Sequence, residues 1–463
     1  MSGGRSARDT LAEQRFWVHG MGITNTAVAR ALVQRGRSVV LSDDGDAVRL
    51  DALAEQLREH ATDQEQVRVL HPSGDDRFAT VLDEVDAVIP TPGLPERHAL
   101  FAAAAASGVV VLSEFDLADA WDDRPVLAIT GTNGKTTVTT LVDAMLDSSG
   151  VRSAAVGNTE VPLVAAIEDP ATQVFVVEAS SFRLAQSRRF RPRVATWLNL
   201  AEDHLDVHRS MEAYRLAKAR IWADQGPDDV AVANADDPEV LASLRTDAGA
   251  PRAVTFGLGS DADYHQLGDV LRGPDGLELV EVAALWSQLP HDRSNVLAAA
   301  ATALAGGADL HGVRRALSEF RGLSHRVQLV GERDGVRWFD DSKATAPHAT
   351  LAAVRGFDSV VLIAGGRNKG LDLGALAEVA EHVCAVVGIG EAAEQVVAAF
   401  PEHPSAVAGS MSDAVQAAAG FARAGDVVLL SPACASFDWY RSYGERGDDF
   451  CAQVRDSVLG VAS

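Results

Sequence analysis

The sequence predicts an α/β protein of three domains in series: N-terminal Rossmann-like, central P-loop ATPase-like and C-terminal Rossmann-like. Three observations carry that prediction. Short apolar strands alternate with helical stretches in each third of the chain, the pattern of parallel sheets covered by helices. Near the start, a strand at Phe16 to His19, the turn Gly20-Met21-Gly22, a helix from Thr26 to Arg35 and a strand from Ser38 to Leu41 form a βαβ unit. Further on, Ala128 to Val138 reads A-I-T-G-T-N-G-K-T-T-V between an apolar strand and a helix, the setting of a triphosphate-binding turn.

In that turn, Gly131 and Gly134 let backbone amides approach phosphate oxygens, Lys135 supplies a cation, and Thr136 offers a hydroxyl to Mg²⁺ at a helix N-terminus. Gly131, Thr132, Asn133, Gly134, Lys135, Thr136 and Thr137 are therefore the candidate nucleotide-binding residues. The usual spacing G-x-x-x-x-G-K-[ST] asks for a glycine at position 129, which is Ile129, so the loop is a shorter variant. A plain glycine-rich turn before an ordinary helix is the competing reading. The coincidence of strand, glycines, lysine, paired threonines and helix weighs against it.

With 463 residues and 47% hydrophobic content, the chain can bury several cores. A net charge of −24 opposes a nucleic-acid partner, which needs a basic stripe. The residues up to Gln14 carry no apolar signal region, and the longest apolar stretches, such as Phe101 to Leu112, are too short to span a bilayer. Cys384, Cys434 and Cys451 form no metal or redox spacing. A cytoplasmic protein, off the membrane and monomeric, is expected, with no disordered tail beyond the first dozen residues.

The first domain is assigned to residues 1–113. Its βαβ fingerprint is partial, G-x-G-x-x-N, with Asn25 where a third glycine would stand, so a nucleotide and a merely structural turn both remain open. Strands at Val67 to Leu70, Ala87 to Ile89 and Val109 to Leu112, and a helix from His98 to Ser107, complete it. The second domain, 114–322, holds the phosphate loop, its helix from Lys135 to Asp147, and strands at Ala154 to Val156, Val174 to Val177 and Val194 to Leu198. Residues 257–288 show no pattern, and a long helix is expected from Asn295 to Ala305. The third domain, 323–463, carries strands at Val336 to Phe339, Val360 to Ala364, Ala385 to Ile389 and Val427 to Ser431.

Ligands of open α/β sheets gather at the carboxyl ends of strands. In the middle domain those ends carry Gly157-Asn158, Glu178 with Ser180 and Ser181, and Asn199 through Asp206. Mg²⁺ takes hard oxygen ligands, so Thr136, Glu178 and His204 are its natural candidates. Taken singly, Glu178 and His204 read as solvated loop residues. On one rim with a phosphate loop, they read as functional. Lys218 lies among apolar neighbours on a helix from Met211 to Ile221.

These strings, together with EASSF (Glu178 to Phe182), NLAEDHLD (Asn199 to Asp206), YRLAKARI (Tyr214 to Ile221), NADD (Asn234 to Asp237), DDSKAT (Asp340 to Thr345), GGRNKG (Gly365 to Gly370) and SPACASFDWYRSYGERGDDF (Ser431 to Phe450), resemble the Mur ligases. The last block is the most specific and points to the branch that adds D-glutamate. The resemblance covers all three domains. Other amino-acid-adding Mur-type ligases and enzymes like folylpolyglutamate synthetase are the alternative. A nicotinamide-dependent or phosphotransferase enzyme and a non-catalytic nucleotide-binding protein are more distant ones.

The resemblance implies ATP-dependent amide synthesis, through an acyl phosphate, from UDP-N-acetylmuramoyl-L-alanine and D-glutamate. It implies two Mg²⁺ sites, with Lys135 and Thr136 serving phosphates and the first ion beside Glu178, and His204 and Lys218 serving the second, Lys218 as a carbamate. Asn295, Arg326 and Asp341 would hold adenine and ribose. Gly22, Ile23, Thr24, Asp43 and Gly93, with Asn158 from the middle domain, would form the uracil and diphosphate pocket. Thr345, Lys369, Ser436, Phe437 and Tyr443 would hold D-glutamate. Three places depart from the family pattern: Pro290-His291-Asp292 stands for Gly-His-Asn, Arg183 for a frequent glutamine, and Pro347-His348 follows Thr345.

Overall fold

A computed structural model describes residues 15–45, 47–71, 78–158 and 161–460. The expected N-terminal tail lies outside the described residues. The chain divides into two compact units, one running to Leu285 and including Arg293–Glu319, the other comprising Trp286–Asp292 and everything from Phe320.

The first unit opens with a five-stranded parallel sheet of β1 (Phe16–His19), β2 (Val39–Ser42), β3 (Val67–Val69), β4 (Ala87–Pro90) and β5 (Val110–Val111). Its order is β3-β2-β1-β4-β5. Alternation along β1 explains its central place: Phe16 and Val18 enter one core and Trp17 the other, all fully buried. The helix Ile23–Gln34 begins three residues earlier than expected, directly after Gly22. Asn25, the misfit in the fingerprint, is wholly buried. Its Nδ2 donates to the carbonyls of His19 (2.9 Å) and Ile89 (3.1 Å), stapling the ends of β1 and β4.

The same unit holds a six-stranded parallel sheet: β6 (Val126–Thr130), β7 (Ser153–Gly157), β8 (Val174–Glu178), β9 (Val194–Trp197), β10 (Val230–Asn234) and β11 (Arg252–Phe256). The order β11-β10-β9-β6-β8-β7 puts β6 between β8 and β9. Because the connection after β6 leads toward β7 on one side and that after its neighbour β9 leads toward β10 on the other, the loop after β6 sits at a topological switch point. In register, Ile129 faces Glu178 and Thr130 faces Trp197. The helix Glu114–Trp121 leads into β6 and starts with a capping box between Ser113 and Asp116.

Residues 257–288, patternless in the sequence, contain a small antiparallel sheet of β12 (His265–Leu267), β13 (Val270–Arg272) and β14 (Glu278–Glu281). Strands of three or four residues are too short to show a period. The long helix runs Pro290–Ala305, five residues earlier than expected, because proline is compatible with a first helical turn.

The second unit is a six-stranded sheet of β15 (Gln328–Arg333), β16 (Val336–Asp340), β17 (Val360–Gly365), β18 (Val383–Ile389), β19 (Ser405–Ala408) and β20 (Val427–Leu430), in the order β15-β16-β20-β17-β18-β19. Only the pairing of β15 with β16 is antiparallel. The sequence reading missed both edges, β15 and β19, whose partly exposed residues lack the continuous apolar run of the buried strands. No helix among the described residues is long and apolar enough to cross a membrane.

Candidate active site

The phosphate loop is preset by close packing. Gly131 has φ +156° and Gly134 +83°. A Cβ on Gly131 would lie 2.9 Å from the Leu198 Cβ, and one on Gly134 would lie 2.5 Å from Asn295 Oδ1. Glycine is therefore required at both positions. The helix Lys135–Ser148 that follows has no side chain capping its N-terminus, which leaves amides directed at the place an anion would take.

The β9 end buttresses this loop. Thr132 N–H donates to Asn199 O (3.1 Å), and Asn133 N–H donates to Asn199 Oδ1 (2.8 Å). Thr132 Oγ1 meets the Tyr214 hydroxyl at 3.2 Å. Lys135 Nζ folds back to the carbonyls of Gly131 (2.8 Å) and Thr132 (2.9 Å). Thr136 and Thr137 occupy the first helical turn, Thr136 partly exposed and Thr137 buried.

Lys218 comes to the same loop from the helix Met211–Ala223. It is buried, its Nζ donating to Gly131 O at 2.8 Å and lying 4.5 Å from the centre of the Tyr214 ring. Burial pushes the amine well below the ordinary lysine range, and the charge of Lys135 pushes it further the same way; Asp203 opposes both.

Glu178 closes β8, a strand whose other residues, Val174, Phe175, Val176 and Val177, are all buried. Burying four such side chains contributes on the order of 2 kcal/mol each, enough to hold a carboxylate in an unfavourable place. Asn158 Nδ2 donates to Glu178 Oε1 at 3.2 Å. Oε2 is buried and has no hydrogen-bond partner among the described residues. An acceptor-only oxygen without a donor suits a hard cation such as Mg²⁺, so the donor set fits the ion. His204, with φ +57°, holds a left-handed conformation uncommon for its type, and its ring stands edge-on to Phe182 at 4.7 Å.

In the first sheet, Gly22 caps the helix Ile23–Gln34 with no side-chain bond, and Ile23 is exposed. The Asp43 carboxylate accepts from the amides of Met21 and Gly45, so it shapes the turn. Gly93 has φ +84° and faces Phe182. Thr24 Oγ1 accepts from Arg183, which also reaches Asn158. The expected substrate residues Thr24 and Asn158 are thus joined. Nearby, His19, Asp44 and His98 gather within 4.8 Å. Because His98 Nδ1 accepts the Leu100 N–H at 3.3 Å, its Nε2 carries the ring proton toward Asp44 Oδ2 at 3.2 Å. Together the three groups make a hydrogen-bonded knot at the end of the first sheet.

In the second unit, Asp341 is buried at the end of β16. Its Oδ2 accepts from Ser431 Oγ (2.7 Å) and its Oδ1 from Val327 N–H (3.3 Å). Burial pushes this carboxyl up to about 8. Arg326 adjoins Val327 and pulls the other way. Thr345, Lys369, Ser436 and Phe437 follow β16, β17 and β20, which are neighbours, and so share one edge of the sheet. Ser436 is buried, while Lys369 and Phe437 are exposed. Tyr443 takes the Lys343 ammonium over its ring at 3.8 Å. Arg446, which the sequence reading gave no role, ties Ser342 O and Cys434 O together at 2.9 and 3.1 Å. Its signal, an arginine inside an apolar helical face, is too weak to find alone.

The family model of the Mur ligase middle domain matches residues 129–303, and that of the Mur ligase glutamate ligase domain matches 325–434. The chain belongs to the Mur ligase family, the ATP-dependent ligases that form amide bonds. Within it, the chain is 40% identical to the UDP-N-acetylmuramoylalanine–D-glutamate ligase of Desulfosudis oleivorans, over 95% of each chain. It is 41% identical to the enzyme of that name from Frankia casuarinae, over 95% of this chain and 93% of the relative.

Among solved structures, UDP-N-acetylmuramate-alanine ligase from Thermotoga maritima aligns with TM-score 0.56 at 19% identity, over 96% of this chain and 100% of that one. A pseudomurein peptide ligase type C from Methanothermus fervidus aligns with TM-score 0.55 at 18% identity, over 90% and 96%. At these identities the structures speak for the fold.

Proposed function

We propose that the chain adds D-glutamate to UDP-N-acetylmuramoyl-L-alanine at the expense of ATP, in the cytoplasmic synthesis of a peptidoglycan precursor. The carrying observation is the match at 40% identity along 95% of the chain to ligases of that name. The phosphate loop and the orphaned Glu178 oxygen support it.

A carboxylate is a poor electrophile, so the substrate's alanyl carboxylate first attacks the γ-phosphorus of ATP, forming an acyl phosphate and releasing ADP. The uncharged amine of D-glutamate then adds to the acyl carbon. The tetrahedral intermediate collapses by expelling phosphate, the amine loses its proton, and an amide remains. In-line phosphoryl transfer asks mainly for positioning and charge neutralisation, which Lys135 and the uncapped helix N-terminus supply.

Thr136, Glu178, His204 and Lys218 would hold Mg²⁺, which when bound neutralises phosphate charge. Lys218 would serve as a carbamate: its buried amine, made less basic by its surroundings, is the form that adds to CO₂. Domain limits of 1–113, 114–322 and 323–463 assign the UDP end of the substrate, ATP and D-glutamate in that order.

Phosphate release should require the UDP-substrate, and sustained turnover should also require D-glutamate. An assay showing rapid hydrolysis of ATP alone, or turnover indifferent to D-glutamate, overturns the proposal.

A further inference from the structure

We propose that Arg183 is a positioning residue for this reaction, one that sets the substrate residues Thr24 and Asn158, and through Asn158 the carboxylate of Glu178, in register. The inference rests on the ligase reading above.

The Arg183 side chain is buried, and its guanidinium donates to acceptors on three different elements. Nε donates to Glu114 Oε1 at 2.6 Å, from the helix that leads into β6. One terminal nitrogen donates to Asn158 Oδ1 at 3.0 Å, just beyond β7. The other donates to Thr24 Oγ1 at 2.8 Å, in the first turn of the helix after β1. A planar fork of fixed donors can hold three such acceptors at set angles; a point charge cannot.

Each bond decides what its partner has left to offer. Because Asn158 Oδ1 is taken by Arg183, its Nδ2 faces the other way and donates to Glu178 Oε1 at 3.2 Å. Glu178 Oε2 is then the oxygen left without a donor. Thr24 Oγ1, accepting from Arg183, keeps its single proton for a donor role. It lies in the uncapped first turn after Gly22, where an anionic diphosphate would be received. Glu114 balances the guanidinium, since its side chain is fully buried beside Arg183, so the arginine orders its partners without placing an uncompensated charge in the interior.

The test separates the charge from the fork. Arg183→Lys keeps the ion pair with Glu114 and with it the fold, but cannot reach all three acceptors. If that variant does not fold, Arg183→Met with Glu114→Gln removes the buried pair as a unit and takes its place. Calorimetry with UDP-N-acetylmuramoyl-L-alanine, without nucleotide or metal, should show affinity lower by about tenfold, the scale of losing a charged hydrogen bond. Mn²⁺ binding with a non-hydrolysable ATP analogue, read by electron paramagnetic resonance, should weaken by about threefold to tenfold. The KM for D-glutamate should stay within about twofold, a span too small for a lost hydrogen bond.

Unchanged binding of both probes overturns the inference, and so does a D-glutamate KM that rises in parallel, which would mean general loosening. If the unaltered protein binds neither the UDP-substrate nor the Mn²⁺–nucleotide pair, the ligase reading has failed instead.

Discussion

Lys218 and Lys135 donate to the same oxygen, the carbonyl of Gly131, each at 2.8 Å. Two ammonium groups sharing one acceptor repel each other, and the buried one has no water to disperse its charge. Lys218 is the one that gives way, its basicity lowered by burial first and by Lys135 second. The helix position that the sequence places among apolar neighbours thus holds an amine of lowered basicity.

We therefore expect Lys218 to carry a carbamate. With ¹³C-labelled bicarbonate, a carbamate resonance should appear in the protein and vanish in Lys218→Ala. That variant should lose on the order of 10² in turnover, as when one preorganised charge group is removed, with partial rescue by formate or acetate. No labelled resonance together with no rescue would remove the metal role from Lys218.

Two glycines at opposite ends of one helix make a controlled comparison. Gly134, with φ +83°, has Asn295 against it, whereas Gly150, with φ +79°, has nothing within 4 Å. Gly150→Ala should cost only the left-handed strain, roughly 1–2 kcal/mol, and leave the KM for ATP alone. Gly134→Ala adds a clash and should raise that KM by about tenfold or more, from misplacing the loop. Equal effects of the two variants on ATP would mean that the loop is not the phosphate site.

What the sequence disclosed was what local pattern can carry. The βαβ unit, the phosphate loop and most of the buried strands announce themselves through apolar runs and turn residues within about ten positions of each other, but β10, buried along its whole length, and its neighbour β11 were not read as strands. Glu178 was legible because an apolar strand ends on it. Arg183 was not, because its partners Thr24, Glu114 and Asn158 stand 159, 69 and 25 residues away. Asn25 looked like a damaged fingerprint until the carbonyls it staples were seen. The edge strands β15 and β19 and the small sheet β12 to β14 escaped for a simpler reason: partly exposed or very short strands carry little periodic signal.

Asp341 gives a pH dependence with a definite sign. Its carboxyl is raised to about 8 in the folded chain by burial, above the roughly 3.9 of an unfolded aspartate. The native state therefore holds a proton that the unfolded state has lost between those values. Its contribution is fully present below about pH 4 and fades as pH rises through 8. Asp341→Asn, which cannot titrate, should lose less stability than the unaltered protein between pH 5 and about pH 9, compared by denaturant midpoints. Parallel stability profiles would mean that Asp341 stays ionised.

Acceptor choice turns on Lys369. It follows β17 in the turn after Gly365, on the sheet edge that also carries Ser436 and Thr345, and is exposed where Ser436 is buried. Under the proposed function its ammonium pairs with the side-chain carboxylate of D-glutamate, while neutral donors such as Ser436 and Thr345 surround it. Replacing D-glutamate by D-glutamine removes that anion. An exposed cation is screened, so the penalty should fall at the lower end of the range for a charged hydrogen bond, about tenfold in kcat/KM. Lys369→Ala should shrink the preference and leave the KM for ATP in place, because Lys369 is not among the residues assigned to the phosphates, adenine or ribose. Side-by-side turnover with D-glutamate, D-glutamine, L-alanine, L-lysine and meso-diaminopimelate provides the measurement. A protein that uses any of the last three better than D-glutamate belongs to a neighbouring branch of the family, and the C-terminal block would then have another acceptor to recognise.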